Sequence, residues 1–334
     1  MIKYLYHYFS IQKYIIFVKH LKNNLSYMLM QTLYFGNPTS IRLEKKQMKI
    51  EVDKGNVKLK DTVPIEDVGF IILDHPQIFI SQSSIVELLK NNCAIVWCDE
   101  KHLPNGITLP MSGHSLSQKV MRTQVEASES LKKNLWKQII QSKINNQANH
   151  LMHHKIDGMM IQKLSETVTS GDTTNVEANA AGMYWQRLFP DEMDFTRNRF
   201  GPMPNHLLNY GYAILRAVIA RAIVGCGLLP NLGIHHRNQY NAYCLADDLM
   251  EPFRPFVDLL VVKIVMEHGE NLSESLTPAL KQSLLIIPAL DVGIDKKKSP
   301  LMIAATKMCA SFVKCLMGET RKLILPEWIK MKNK

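Results

Sequence analysis

The alternation of apolar and polar positions divides the chain into a strand-like part and a helix-like part. Between Gln31 and about Pro104 the apolar residues recur with period two or form short unbroken runs bounded by turn residues, the pattern of β-strands. Residues 32–35 form a short run ended by Gly36, Asn37 and Pro38; residues 40–44 and 48–52 alternate as half-buried strands do; residues 57–60 follow a Gly55-Asn56 turn. Residues 68–73 and 94–98 are apolar throughout, which predicts interior strands, and residues 83–90 between them predict a short capped helix. Residues 105–115 carry Pro, Gly and Ser and predict a linker. Beyond it the spacing turns helical. Residues 116 to about 145 place Leu131, Leu135 and Ile139 on one stripe, broadened by Trp136 and Ile140, and residues 207–223 and 245–266 behave alike. Pro252 and Pro255 predict a kink or break in the last of these, because neither carries an N–H.

The pattern therefore predicts an α+β protein: a small β-rich domain at 28–104, the linker 105–115, and a larger helical domain at 116–334. Residues 1–27 differ from the rest. They hold aromatics and four lysines without any acid and lack a small-residue cleavage site, and are expected to be a non-native upstream start or a disordered extension, with the natural start at Met28 or Met30.

Composition adds a partner class. A net charge of +10 and a pI near 9.2 favour a polyanion, although part of that excess lies in residues 1–27. The six cysteines show no C-x-x-C spacing, which argues against a zinc ribbon and for reduced thiols in a cytoplasmic protein. The most apolar stretch, residues 207–229, is interrupted by Arg216 and Arg221 and reads as a helix of a soluble protein, with no membrane partner.

The candidate chemistry lies in two places. Gly233-Ile234-His235-His236-Arg237 precedes a helix bearing Asp247, Asp248 and Glu251, and residues 176–185 put Glu177 on another helix beside Ala180, Ala181, Tyr184 and Trp185. On the first of these helices Asp247 and Glu251 are i, i+4 and Asp248 and Glu251 are i, i+3, so each pair shares a face. Histidine with carboxylates from separate segments suits a divalent ion such as Mg²⁺ or Mn²⁺, and on a basic protein it points to phosphodiester chemistry. Taken singly, each residue has a plain alternative: acids at a helix N-terminus, a solvated glutamate, a surface or core histidine.

These residues carry a resemblance. Gly233-Ile234-His235-His236, followed by Asp248-Leu249-Met250-Glu251-Pro252-Phe253-Arg254-Pro255, resembles the CRISPR adaptation integrases, the nucleases that capture new spacers. Glu177 with Ala180 and Tyr184-Trp185, the run from Arg197 to Tyr212, and Thr32-Leu33-Tyr34-Phe35-Gly36-Asn37-Pro38 are similar to further family segments, the last in the form accompanying type II systems. The resemblance spans about residues 30–330. It implies a β-sandwich-like N-terminal domain, an all-α catalytic domain, and a catalytic metal site for Mg²⁺ or Mn²⁺ formed by Glu177, His236 and Glu251. His235 is the neighbouring alternative to His236, and the motif register favours His236. Asp248 is a candidate to support the ligands or take a transient second metal. Arg187, Arg197, Arg199, Arg237 and Arg254 are candidates for clamping DNA phosphates, the alternative being ion pairs with Asp191, Glu192 or Asp194. The implied activity is metal-dependent cleavage and transesterification that inserts spacer DNA into the repeat array. The implied partners are double-stranded protospacer and repeat DNA, a second copy in a homodimer, a small companion adaptation protein dimer completing a heterohexamer, and an assisting effector nuclease. Two other classes stay open: a non-catalytic DNA-binding scaffold of the same fold, and a metallohydrolase acting on small phosphate esters. Ala178 where the family has glycine, and Pro252 where it often has a second glutamate, are the departures from the pattern.

Overall fold

In a computed structural model describing residues 15–18, 31–53, 58–100, 102–111, 114–189 and 193–329, the period-two segments form two sheets. They belong to the first of two units, Met1–Gly113 and His114–Lys334. The first sheet orders its strands β1 (Ile15–Val18), β2 (Gln31–Phe35), β6 (Val68–Leu73), β8 (Ala94–Cys98) and β9 (Pro104–Thr108). Strands β2, β6 and β8 run parallel, and β1 and β9 close the edges in antiparallel fashion. The second sheet runs β5 (Lys58–Pro64), β4 (Gln47–Asp53), β3 (Thr39–Glu44) and β7 (Ile78–Ile80).

Both sheets and helix α1 (Gln82–Lys90) share one core. Register pairs Ile41 with Ile50, and these residues, with Met48, Val52 and Val63, are buried against Leu33, Phe35, Ile71 and Ile95 of the first sheet. All six residues of β6 are buried, as an interior parallel strand requires. Ser81 caps α1 by accepting from the Ser84 amide.

The structure departs from the sequence reading in three places here. Strand β9 falls largely inside the stretch expected to be linker: its Pro and Gly suit an edge strand as well as a loop, and only pairing with β8 decides. Ile15–Val18, within the expected extension, pairs with β2, while the rest of residues 1–27 lies outside the described residues. The second unit is not all-α. It contains a small sheet of β10 (Asp291–Ile294), β11 (Lys297–Pro300) and β12 (Pro326–Glu327), where a tight hairpin turn and a distant strand pair in a stretch too short and polar to show a period.

The helices of the second unit are α2 (Ser117–Val125), α3 (Glu129–His153), α4 (Met159–Thr167), α5 (Val176–Leu188), α6 (Asn205–Gly225), α7 (Cys244–Met250), α8 (Arg254–His268), α9 (Pro278–Leu284) and α10 (Leu301–Leu316). The single helix expected over residues 116–145 is two, because Ser128 adopts an extended conformation and caps α3 by accepting from the Leu131 amide. Helix α6 is long and apolar enough to cross a membrane, yet 78% of its most apolar window is buried within the unit. It packs against α7, α8, α9 and α10, and α3 packs against α4, α5 and α8. Between α7 and α8, Glu251–Phe253 tightens into a 3₁₀ turn, since Pro252 removes a donor that a continuous helix would use.

Close helix approach sets one stability prediction. A Cβ on Gly158, at the start of α4, would stand 2.4 Å from the Ala148 carbonyl oxygen of α3, whereas one on Gly182 of α5 meets nothing within 4 Å. Gly158→Ala is expected to cost about 1–3 kcal/mol in urea unfolding. Gly182→Ala is expected to stabilise by up to about 1 kcal/mol.

Candidate active site

Helix α3 supplies the floor of the site. Trp136, Ile140, Lys143, Gln147 and His150 follow one another at i+3 and i+4 steps, and all five are buried. The stripe begins apolar and ends polar, and Lys143 lies at the change. Its ammonium donates to Glu177 Oε1 at 2.5 Å and stands 2.6 Å from Glu251 Oε2.

Each carboxylate is delivered by a helix end. Asn175 takes a left-handed conformation (φ 55°), and Asp172 accepts from the amides of Val176 and Glu177 at 2.9 and 3.0 Å. Asp172 thus satisfies two of the amides that start α5 and fixes Glu177 in its first turn. Glu251 closes α7 at the 3₁₀ turn, with its Oε1 accepting from Arg254 Nε at 2.8 Å. Its Oε2 is buried against the Lys143 ammonium. Burial opposes ionisation of Glu251, but Arg254 and Lys143 outweigh it and hold the carboxyl down at about 2. Desolvation likewise works against the Lys143 ammonium and is overcome by Glu251 and Glu177, so its pKa is raised.

The histidine pair is set by Asp248, which is fully buried. Its Oδ2 accepts from the amides of Ile234 and His235 at 2.7 and 3.0 Å, and its Oδ1 from the His236 amide at 3.1 Å and His236 Nδ1 at 2.6 Å. Four donors fill the four lone-pair positions of the carboxylate. This wrapping requires Gly233, where a Cβ would lie 2.4 Å from the His236 carbonyl oxygen and 2.8 Å from Asp248 Oδ2. The Asp248 bond raises the His236 pKa against desolvation, aided by the charge of Glu251. With Nδ1 committed, Nε2 is the ring nitrogen left for chemistry. His235 has a different part: it stacks on Trp136 with ring centroids 4.0 Å apart and planes 3° from parallel.

Behind Glu251 lies a second buried cluster. Asp258 accepts from Tyr184 Oη at 2.9 Å and from Tyr212 Oη. Burial pushes the Asp258 carboxyl up to about 6 against the pull of both tyrosines and of Arg254 and Arg197. The Arg254 guanidinium lies 4.5 Å from the centre of the Tyr212 ring, so the tyrosine backs the arginine that grips Glu251. Tyr184 spends its proton on Asp258, and its oxygen therefore accepts from His150 Nδ1 at 2.7 Å.

The three sequence-derived ligands are brought together incompletely. Glu177 and Glu251 meet at one ammonium, and His236 feels the charge of Glu251. Among the described residues, however, no three His, Cys, Asp or Glu side chains form a preassembled metal cage. Lys143 holds the position between the two glutamates. The donor set nonetheless fits a divalent ion: two carboxylates from separate helix ends at one cationic centre, beside an imidazole whose other nitrogen is anchored.

The remaining candidates separate by environment. Asp248, with its lone pairs filled, orients His236 and has no oxygen free for a second metal. Arg254 holds Glu251, Arg237 pairs with Glu129, and Arg197 donates to Asn205 and Asn209 at 2.9 and 2.8 Å, so these three are occupied within the fold. Arg187 donates to the Asp157 carbonyl and Arg199 lies over Phe200, both exposed. Asp191 and Glu192 lie outside the described residues. Lys143, Trp136 and Asp172 were missed by the motif reading. A signal existed for Lys143, since it continues the buried stripe of α3 through a position where a lysine should not be buried without a partner.

Comparison with known proteins follows the same residues. A family model described as "CRISPR associated protein Cas1" matches residues 33–274. The CRISPR-associated endonuclease Cas1 of Neisseria meningitidis serogroup C is 35% identical over 309 residues, covering 92% of this chain and 99% of that protein. Among solved structures, a casposase bound to integration product superposes with a TM-score of 0.72 at 22% identity, covering 89% of this chain and 92% of that one. A Cas6-RT-Cas1–Cas2 complex matches with a TM-score of 0.69 at 18% identity, covering 94% of this chain and 37% of its own. Both structural likenesses concern the fold. The family match and the similarity to a full-length relative establish that this chain belongs to the Cas1 family of CRISPR-associated proteins.

Proposed function

We propose that the chain is a divalent-metal-dependent DNA endonuclease and integrase of CRISPR adaptation, inserting spacer DNA into the repeat array by transesterification. The observation that carries this reading is the meeting of Glu177 and Glu251, from separate helices, at one buried cationic centre beside the anchored His236. Glu177, His236 and Glu251 would hold Mg²⁺ or Mn²⁺, which when bound supplies Lewis acidity toward the scissile phosphate and offsets the charge that builds in phosphoryl transfer.

The chain's own residues prepare that chemistry. Asp248 fixes the imidazole orientation and keeps Nδ1 engaged, leaving Nε2 as the ligand atom. Arg254, backed by Tyr212, fixes the orientation of the Glu251 carboxylate. Trp136 carries His235 and so supports the backbone that precedes His236. Arg187 and Arg199, exposed and without a carboxylate partner among the described residues, suit contact with DNA phosphates. The net charge of +10 favours the same polyanion.

The partners follow from the same reading. A relative of this fold occurs in a complex with Cas2, and a casposase of this fold is bound to an integration product. Double-stranded DNA, a second copy of the chain and a small Cas2-like dimer, together forming a heterohexamer, are the proposed assembly, working in the cytoplasm. The type II-like form of the family is the assignment favoured by the N-terminal segment 32–38.

Three outcomes are expected. In Mg²⁺- or Mn²⁺-dependent joining of a short duplex to a repeat-bearing plasmid, His236→Ala and Glu251→Ala should each lose joining by about a hundredfold or more, since a metal-ligand loss acts on the transition state. Duplex binding should change by only a fewfold because phosphate contacts supply most of it. His235→Ala should lose less, through a shifted loop and not a missing ligand. Full joining by both His236→Ala and Glu251→Ala would exclude the proposed site and leave the scaffold reading.

The arginines should divide as their environments do. Arg199→Ala should reduce the slope of log K against log salt by roughly one contact with little change in thermal stability. Arg197→Ala should instead lower stability, because Asn209 Oδ1 loses its donor and Asn205 Oδ1 keeps only the Asn198 amide.

A pH dependence completes the set. The folded pKa of His236 is raised above 6.5 by Asp248, so the folded state holds its proton more tightly than the unfolded chain. This contribution to stability is fully present below the unfolded value and is lost as pH rises through the folded one. Urea unfolding of metal-free protein should show a component that weakens above pH 6.5 and is missing in His236→Ala.

A further inference from the structure

We propose that Lys143 is a resident counter-cation that competes with the divalent ion for Glu177 and Glu251, so that metal binding requires its ammonium to leave them; the inference rests on the metal-dependent reading above. The ammonium engages one oxygen of each proposed carboxylate ligand, at 2.5 and 2.6 Å. A divalent ion held by the two glutamates would draw on these same carboxylates, and two cations cannot share them without strong repulsion in a buried site.

The charge balance makes the competition specific. Glu177, Glu251, Lys143 and Arg254 sum to zero, so the metal-free site is already neutral. Arg254 takes the other oxygen of Glu251 and is backed by Tyr212, which leaves Lys143 as the cation standing between the carboxylates. The contact to Glu251 is as close as that to Glu177, so the ammonium occupies both carboxylates at once. Lysine suits the role because its charge sits on a flexible four-carbon stem and can withdraw while its backbone stays fixed in α3.

A purely structural ion pair gives the opposite expectation. If Lys143 merely holds α5 and α7 to α3, its loss loosens the glutamates and metal binding weakens. If it competes, its loss strengthens metal binding while making the metal-free protein less stable, since two carboxylates face each other without it.

The test is Mn²⁺ titration of the full-length chain, following free Mn²⁺ by electron paramagnetic resonance, in wild type, Lys143→Met, Glu177→Gln and Glu251→Gln. Lys143→Met should bind Mn²⁺ at least tenfold more tightly at the site that both glutamate substitutions weaken. Its melting temperature should fall without metal and recover with Mn²⁺. A folded Lys143→Met with unchanged or weaker Mn²⁺ affinity overturns the proposal. Wild-type protein gives an independent reading should that variant misfold: brief acylation read by mass spectrometry should find Lys143 protected without metal and several-fold more reactive at saturating Mn²⁺. Unchanged Lys143 reactivity, with Mn²⁺ binding that still depends on Glu177 and Glu251, sinks the competition alone. Wild-type Mn²⁺ binding indifferent to both glutamates sinks the metal site and the competition together.

Discussion

The meeting of a half-buried and a buried glutamate at one ammonium is the constraint around which the second unit is arranged. Buried carboxylates repel each other and lose hydration, so they persist only with cations and donors placed at the same spot. Lys143 provides the shared cation and Arg254 the second one. Breaking such a buried pair typically costs about 3–5 kcal/mol, an amount comparable with the net stability of many domains. The four helices that deliver these groups, α3, α5, α7 and α8, are therefore fixed relative to one another by charge as well as by apolar packing.

The supporting residues act at one remove, each through a defined atom. Asp172 holds the first amides of α5 and thereby the direction of Glu177. Tyr212 lies under Arg254, which grips Glu251, and the same tyrosine donates to Asp258. Asp248 collects three successive amides and an imidazole, so one carboxylate shapes the loop and aims the side chain. A site built this way is preorganised by its second layer of contacts, which is what chemistry on a highly charged phosphodiester requires.

The two neighbouring histidines illustrate how the fold separates residues that sequence presents as equivalents. His236 shares a carboxylate with the backbone and senses the charge of Glu251. His235, one position earlier, turns its ring flat against Trp136. The chain bends at Ile234 and His235 as it passes over Asp248, so the two rings stand edge to face with centroids 5.5 Å apart, one flat on Trp136 and the other turned to the carboxylate. Gly233 makes that course available by allowing the backbone to fold closely over the carboxylate.

Much of the organisation was legible from periodicity. Strands β2 to β6 and β8, the helices at Glu177 and Glu251, and the break at Pro252 follow from local rules: alternation, helical spacing and a missing N–H. The residue types suited to metal-assisted chemistry were legible too, because histidine and carboxylates in ordered motifs carry their chemistry wherever the fold places them. What the sequence could not decide was partnership. Strand β9 looked like linker until β8 paired with it, and the short strands of the second unit are joined by a residue pair far along the chain. Arg254 and Arg197 were candidates for phosphate contacts or for ion pairs, and the fold commits them to Glu251 and to two asparagines. The sequence reading passed over Lys143, because its two partners come from other helices. Periodicity is a property of neighbouring residues and is written into the chain, whereas the state of a charge depends on groups brought near it from elsewhere, and only the tertiary structure brings them there.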